Sequence, residues 1–159
     1  MRRFLYVLGA LFLGLLVISG VGIGMAVHDG RALDAESKAY VDTAIPAIAK
    51  NWSEAEFLNR ATPELRGSMS PDQLASLFGE FDRLGSLVAY RGSVGDSMMS
   101  YVAGKGKTVS ASYLARAAFQ NGNAIIRIAL LKRNGQWRIN GFHVNLDPNT
   151  SGVPRPTAA

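Results

Sequence analysis

Apolar and polar residues alternate along the second half of the chain, from Lys107 to Leu146, in three runs joined by two Asn-Gly pairs. The pairs are Asn121-Gly122 and Asn134-Gly135, and these residue types adopt the positive φ angles of a type I′ hairpin turn at little cost. The pattern therefore predicts three antiparallel strands in a meander. The alternation shifts by one position at Asn140-Gly141, which predicts a β-bulge and a bend in the last strand.

The middle run, Ala124 to Leu131, is apolar on both of its faces. Such a pattern is typical of a central strand that is covered on two sides. Two shorter runs, Leu87 to Gly95 and Ser97 to Val102, predict further strands, separated by a turn at Gly95-Asp96. The segment Gly104 to Thr108 is expected to be a hairpin loop, because it lacks the spacing of a phosphate-binding loop and precedes a strand.

Helical periodicity occupies the region before the strands. Apolar residues at three- and four-residue steps from Arg31 to Trp52 predict an amphipathic helix. Capping boxes at Ser53–Glu56 and Ser70–Gln73 predict two more helices, the first ending near Arg60 and the second at Gly85. The sequence thus predicts an α+β domain over residues 29–147, with about three helices packed on a bent antiparallel sheet.

The N-terminal segment contains 24 residues without a charge, Phe4 to Val27, after Arg2 and Arg3. A helix of this length spans the hydrocarbon core of a bilayer, about 30 Å. The alternative is a cleaved signal peptide, but its apolar core would be about 7–15 residues long, so we predict an uncleaved single-pass anchor over residues 1–28. The positive-inside rule then places the N-terminus in the cytoplasm and the domain on the extracytoplasmic, or periplasmic, side of the inner membrane. The proline-rich tail, 148–159, is predicted to be disordered.

The formal net charge of +5 is unevenly distributed. Residues 29–83 contain 10 acidic and 6 basic residues, whereas residues 84–159 contain 2 acidic and 9 basic residues. This asymmetry favours charge complementarity between the helices and the sheet over an anionic partner, and no basic cluster interleaved with aromatic residues indicates nucleic acid. The absence of cysteine excludes a disulfide framework and thiolate zinc sites. We predict no metal site and no cofactor.

Two segments resemble the nuclear-transport-factor-2-like superfamily. They are the helix that carries Leu74, Leu77, Phe78 and Phe81 and ends at Gly85, and the closing segment from Asn134 to Val144. The resemblance covers roughly Arg31 to Leu146 and implies a cone-shaped α+β domain similar to that of small secreted or membrane-tethered bacterial members. It implies no particular chemistry, because this superfamily includes isomerases, dehydratases, binding proteins and scaffolds.

Catalysis in this superfamily uses Asp, His or Tyr residues in the cone. Here the predicted strands contain a single acid, Asp96, and it lies at a predicted turn. His143 has the opposite parity from Phe142 and Val144, so we expect it to point away from the apolar core and predict no catalytic role for it. The sequence therefore predicts no catalytic residue.

Tyr90, Tyr101, Tyr113 and Arg127 are the candidates for lining a ligand pocket, in which Arg127 would contact an anion. The alternative is that these side chains pack in the core with their polar tips at the surface. We predict a membrane-anchored extracytoplasmic binding or scaffold domain without catalytic activity. Its expected partners are the membrane and either another envelope protein or a second copy of the chain. The alternative function is a small-molecule binder or enzyme that uses the cone cavity.

Overall fold

A computed structural model of the chain describes residues 30–102 and 106–147. Within these residues, four helices precede four strands in the order α1 (Gly30–Ala49), α2 (Glu54–Arg60), α3 (Pro63–Gly67), α4 (Pro71–Asp82), β1 (Leu87–Val102), β2 (Gly106–Phe119), β3 (Gly122–Arg133) and β4 (Gln136–Leu146). The strands form one antiparallel sheet in the order β1-β2-β3-β4, so the predicted α+β class is confirmed.

None of the described helices is both long and apolar enough to span a membrane. The predicted anchor over residues 1–28 and the predicted disordered tail over residues 148–159 lie outside the described residues. Both stay predictions.

The helix boundaries follow from local capping. Ser70 and Gln73 form the predicted capping box at the start of α4, and Gly85, at a φ of 75°, follows its end. The predicted capping box at Ser53–Glu56 is only half present. Ser53 accepts a hydrogen bond from the Glu56 N–H, but the Glu56 side chain binds Arg60 instead of the Ser53 N–H. The Ser53 N–H already donates to the Ile48 carbonyl, so it has no need of the Glu56 side chain.

The three predicted meander strands are confirmed, with one turn as predicted and one displaced. Asn134 and Gly135 have φ angles of 51° and 76°, as a type I′ turn requires. The other turn was predicted at Asn121-Gly122, but Phe119 pairs with Gly122, so the turn residues are Gln120 and Asn121. The N–H groups of these two residues donate to carbonyls in the connection between α4 and β1, which fixes the turn one position earlier.

The predicted turn at Gly95-Asp96 is wrong, because β1 continues through both residues as a single strand. Gly95 pairs with Tyr113 and Asp96 pairs with Ser112. A Cβ on Gly95 would lie 2.7 Å from Tyr113 Cα and 2.8 Å from its ring. The glycine is therefore required by the close approach of the neighbouring strand, not by a turn.

A β-bulge occurs in β4 at the predicted position. Ala129 pairs with Gly141 and Leu130 pairs with Ile139, which leaves Asn140 as the extra residue. Asn140 accepts a hydrogen bond from the Thr62 hydroxyl at 3.2 Å, and the Thr62 N–H donates to the Ile139 carbonyl at 2.7 Å. The bulge thus ties the start of α3 to the edge of the sheet and restores Phe142 to the core side.

The helices cover one face of the sheet, here called the inner face. Buried side chains alternate along β2 and β3, and they pack against apolar residues of α1, α2 and α4. The largest fully buried residues of this core are Tyr113, Phe57, Ile45, Ile48, Ile126, Ile128, Leu130 and Ile139. The opposite face, here called the outer face, is covered by no helix among the described residues, and it carries Val94, Asp96, Met98, Leu114, Arg116, Ile125, Arg127, Leu131 and His143.

Candidate functional site

Tyr90, on β1, uses its hydroxyl to join the sheet to α1. It donates to Asp42 Oδ1 at 2.6 Å, and Ser93 Oγ donates to the same oxygen at 2.6 Å. Lys38, one helical turn before Asp42, donates to the other carboxylate oxygen at 2.7 Å. Both oxygens of Asp42 therefore accept hydrogen bonds from this chain, an arrangement that fixes the distance between α1 and β1.

Tyr113, on β2, makes a second junction near the start of α1. Its side chain is buried, and its hydroxyl lies 2.8 Å from Ser37 Oγ and donates to the Asp34 carbonyl at 3.1 Å. The Asp34 carboxylate accepts from both the N–H and the hydroxyl of Ser97 on β1. The two junctions hold α1 along the inner face of the sheet. Within each junction, the polar groups of α1 are hydrogen-bonded to those of the strands.

The pKa values at these junctions favour a structural role. Burial alone would raise the pKa of Asp42, but hydrogen bonds from Lys38, Ser93 and Tyr90 outweigh it and leave that pKa below its ordinary value. Burial, together with the adjacent Asp42, raises the pKa of Tyr90. At neutral pH Asp42 is ionised and Tyr90 is neutral. A carboxylate with a lowered pKa is a poor general base, because it has little tendency to take up a proton.

The other two candidate ligand residues lie apart from these junctions. Tyr101 is 53% exposed near the end of β1, opposite Lys107. Arg127 is exposed on the outer face, where it pairs with Leu114 and not with the inner-face Tyr113. The structure therefore brings Tyr90 and Tyr113 to one helix–sheet interface and separates Tyr101 and Arg127 from them. Ligand binding by these four residues stays a prediction.

His143 has the orientation that the bulge predicts. It pairs with Arg127 on the outer face, whereas its neighbours Phe142 and Val144 pack against the core. Its Nε2 lies 2.9 Å from Asn145 Oδ1. The side chain is half-buried and has an amide oxygen, not a carboxylate, as its hydrogen-bond partner, so no acid of the described chain orients it as in a catalytic histidine.

The outer face exposes large apolar side chains. Val94 is 75% exposed, Met98 is 66% exposed and Leu114 is 41% exposed. Val94 pairs with Leu114 across neighbouring strands, and Leu114 pairs with Arg127, so the apolar residues adjoin a basic one. Ile125 and Leu131 on β3 extend the apolar surface and are half-buried. Val94 and Leu114 thus form an exposed apolar pair, which Asp96 and Ser112 separate from Met98. Exposed apolar patches are a known feature of interaction sites.

Two arginines on the outer face lack an acidic partner. Arg116 and Arg127 form no ion pair with any residue of the described chain, unlike Lys132 and Arg133, which pair with Glu36 and Glu64. The expected charge complementarity between the helices and the sheet is thus confirmed for Lys132 and Arg133 only. The outer face retains uncompensated positive charge beside its apolar residues.

Sequence reasoning did not single out Val94, Met98 or Leu114. The available signal was the double apolar pattern of β3, which predicts cover on both faces. In the described chain, the helices supply that cover on the inner face alone. No protein-family model and no curated protein matches the sequence, so its resemblance to the nuclear-transport-factor-2-like superfamily rests on the motifs themselves.

Proposed function

We propose that this chain is a membrane-tethered binding or scaffold domain without catalytic activity, and that its outer face docks another envelope protein. The single observation that carries the proposal is the exposed row Val94–Leu114–Arg127, in which apolar side chains adjoin a cation without an acidic partner, on a sheet face that no described helix covers. The N-terminal apolar segment, Phe4 to Val27, provides the tether. The domain then faces the extracytoplasmic space.

Charge complementarity identifies the kind of partner. The outer face combines Val94, Met98 and Leu114 with Arg116 and Arg127, which lack acidic partners in the described chain. A partner segment that fits it carries an apolar stripe flanked by Asp or Glu side chains. Pairing those acids with the two arginines satisfies charges that are otherwise left in solvent, and it sets the orientation of the partner.

The inner face supports binding over catalysis. The space between the helices and the sheet is filled by aromatic and aliphatic side chains, including Phe57, Phe78 and Ile128. Asp42, a carboxylate at this interface, accepts three hydrogen bonds and is held ionised. Membership of the nuclear-transport-factor-2-like superfamily is part of the same proposal, supported by the helices that precede a meander with a bulged last strand.

Site-specific photo-crosslinking in intact cells tests the proposal. A photoreactive phenylalanine analogue is placed at Val94, which is exposed on the outer face, or at Ser76, which is exposed on α4. We expect a discrete adduct from position 94 and none from position 76. An adduct of twice the mass of the chain would identify a second copy as the occupant, and the absence of any adduct from position 94 would contradict docking.

Arg116 and Arg127 test whether the partner segment is acidic. The double variant Arg116→Glu/Arg127→Glu should reduce the adduct from position 94 at least tenfold, because reversed charges repel an acidic segment. The matched variant Arg31→Glu/Arg66→Glu changes two exposed helix residues by the same charge and should leave the adduct unchanged. Equal loss in both variants would show that net charge, and not this face, controls the contact.

A further inference from the structure

An open cleft of about 580 Å³ lies at the seam between α1, α2 and the start of β4. Its walls combine charged, amide and aromatic side chains, namely Glu36, Tyr40, Glu56, Asn59, Arg60, Gln136, Trp137 and Arg138. The cleft lies at the β4 edge of the sheet: Trp137 is on the inner side of β4, whereas Arg138, which pairs with Leu131, is on the outer side. Its volume lies in the range of pockets that hold small molecules, roughly 300–1,000 Å³.

The acids and bases of the cleft are unequally matched. Glu36 is paired with Lys132, and Glu56 is paired with Arg60. Arg138 has only neutral acceptors in the described chain: its NH1 donates to the Asn59 carbonyl at 2.6 Å and its NH2 to Gln136 Oε1 at 3.3 Å. The positive charge of Arg138 is therefore the one that the surrounding residues leave without a counter-ion.

Trp137 forms part of the wall of the cleft. Its side chain is 5% exposed, and its Nε1–H is buried without an acceptor among the described residues. Because the Nε1 atom is not exposed to solvent, Trp137 lines the cleft through its other atoms. Tyr40, across the cleft, adds an aromatic wall and a hydroxyl; burial raises its pKa, so that the hydroxyl remains a donor.

We propose that this cleft binds a small organic carboxylate with a flat apolar body. The carboxylate pairs with Arg138, whose charge lacks a counter-ion in the described chain, and accepts a further hydrogen bond from the Tyr40 hydroxyl, beside the wall that Trp137 forms. The apolar body lies along the Tyr40 ring. None of the residues that line the cleft belongs to the row Val94–Leu114–Arg127, so the two sites can be tested independently.

Indole N–H resonances provide a direct test with the purified full-length chain. The chain contains two tryptophans, and the Trp52 N–H donates to the Gly85 carbonyl at 3.1 Å, so it serves as an internal reference. We expect titration with benzoate to shift the Trp137 resonance saturably at millimolar concentration while that of Trp52 stays fixed. Benzamide, which has the same body without the charge, should bind at least tenfold more weakly.

Variants separate charge recognition from folding. Arg138→Gln should abolish the benzoate shift, whereas Arg127→Gln, on the outer face, should leave it intact. Because Arg138 also holds the end of α2, Tyr40→Phe supplies a second variant that removes one hydroxyl and spares that contact; it should weaken benzoate binding several-fold. The proposal is overturned if benzoate leaves the Trp137 resonance unchanged, if benzamide shifts it equally, or if Arg138→Gln still binds benzoate with unchanged affinity while folded.

Discussion

Leu114 and Arg127 lie opposite each other on β2 and β3, with both side chains on the outer face of the sheet. Leu114 is 41% exposed, and Arg127 has no acidic partner in the described part of the chain. The inner face, by contrast, is filled by the helices and closed by hydrogen-bonded junctions at Asp34 and Asp42. The uncompensated surface of this domain is therefore on the outer side of the sheet.

The Asp42 junction should contribute measurably to stability. Asp42→Asn replaces a charged acceptor of three hydrogen bonds by a neutral one and should lower the free energy of unfolding by about 1–2 kcal/mol. The value is modest because the Asp42 side chain is 34% exposed. Urea denaturation measures it. Asp96→Asn, an exposed acid of β1, is the matched control and should change the free energy little.

The same junctions predict how stability depends on pH. Hydrogen bonds from Ser97 lower the pKa of Asp34, and those from Lys38, Ser93 and Tyr90 outweigh burial to lower the pKa of Asp42. Both folded-state values lie below those of the unfolded chain, so their contribution is present above about pH 4 and is lost as the pH falls through the folded values. Thermal unfolding at pH 2–7 should show the stability difference between wild type and Asp42→Asn shrinking at the acid end. A difference that is constant over this range would contradict the account.

Tyr90 predicts the opposite dependence of stability on pH. Burial and the neighbouring Asp42 raise its pKa, so its contribution is present below about pH 10 and is lost as the pH rises beyond that value. Tyr90→Phe should therefore remove part of the alkaline loss of stability. Thermal unfolding of wild type and Tyr90→Phe at alkaline pH measures this difference, and identical alkaline losses in the two proteins would contradict the account.

Gly95 tests the continuity of β1. Gly95→Ala places a methyl group against the Tyr113 backbone and ring and should destabilise the domain by about 3 kcal/mol. Gly79→Ala, in α4, meets no atom within 4 Å and should stabilise it by about 0.5–1 kcal/mol. The two melting temperatures should move in opposite directions. If Gly95→Ala were neutral, Gly95-Asp96 would be a turn, as its sequence suggests.

Trp137 tests the packing of β4. It is 5% exposed in the core, with the Lys132 ammonium 5.5 Å from its ring centroid. Trp137→Ala should lower the free energy of unfolding by about 3–5 kcal/mol, because it leaves a large cavity. Trp137→Phe keeps most of the side-chain volume and removes the N–H that has no partner in the described chain, so it should lower the free energy of unfolding by less than Trp137→Ala does. Equal decreases in the free energy of unfolding for the two variants would show that the cavity is not the main cause of the destabilisation.

The N-terminal anchor makes a prediction about fractionation. If the proposed anchor is correct, the full chain should sediment with membranes and resist carbonate extraction, because 24 uncharged residues are long enough to span a bilayer as a helix. A variant with two lysines in place of Leu11 and Leu15 should be extracted, since charges at the centre of a span are costly. Recovery of a soluble mature form that begins near Val27 or His28 would instead identify a cleaved signal peptide.

Local patterns in the sequence predicted much of this fold. Asn134-Gly135 and the Ser70–Gln73 capping box each encode their structure within a few residues, and the shift of parity at Asn140 places the bulge. Gly95 shows where such reasoning fails. A glycine followed by an aspartate resembles a turn, and only the ring of Tyr113 on the next strand reveals that the residue lies within β1.

The candidate site depended more on tertiary structure. Tyr90 contacts Asp42 across 48 residues, a pairing that no local pattern contains. The tyrosines were recognisable as amphipathic residues, but their partners on α1 were not. For the outer face, the double apolar pattern of β3 indicated cover on two sides, yet no covering element is present in the described chain. Exposure of Val94 and Leu114 follows from the packing of the helices on the inner face alone.

Cysteine accessibility tests docking at the outer face most directly, because the native chain contains no cysteine. Single variants Val94→Cys and Leu114→Cys on the outer face, and Ser76→Cys on α4, are labelled with a maleimide in intact envelopes and as purified chain. We predict that positions 94 and 114 react at least tenfold more slowly in envelopes than in the purified chain, whereas position 76 reacts equally in both. Equal labelling of positions 94 and 114 in both settings would show that the outer face is uncovered in the cell and would contradict the account.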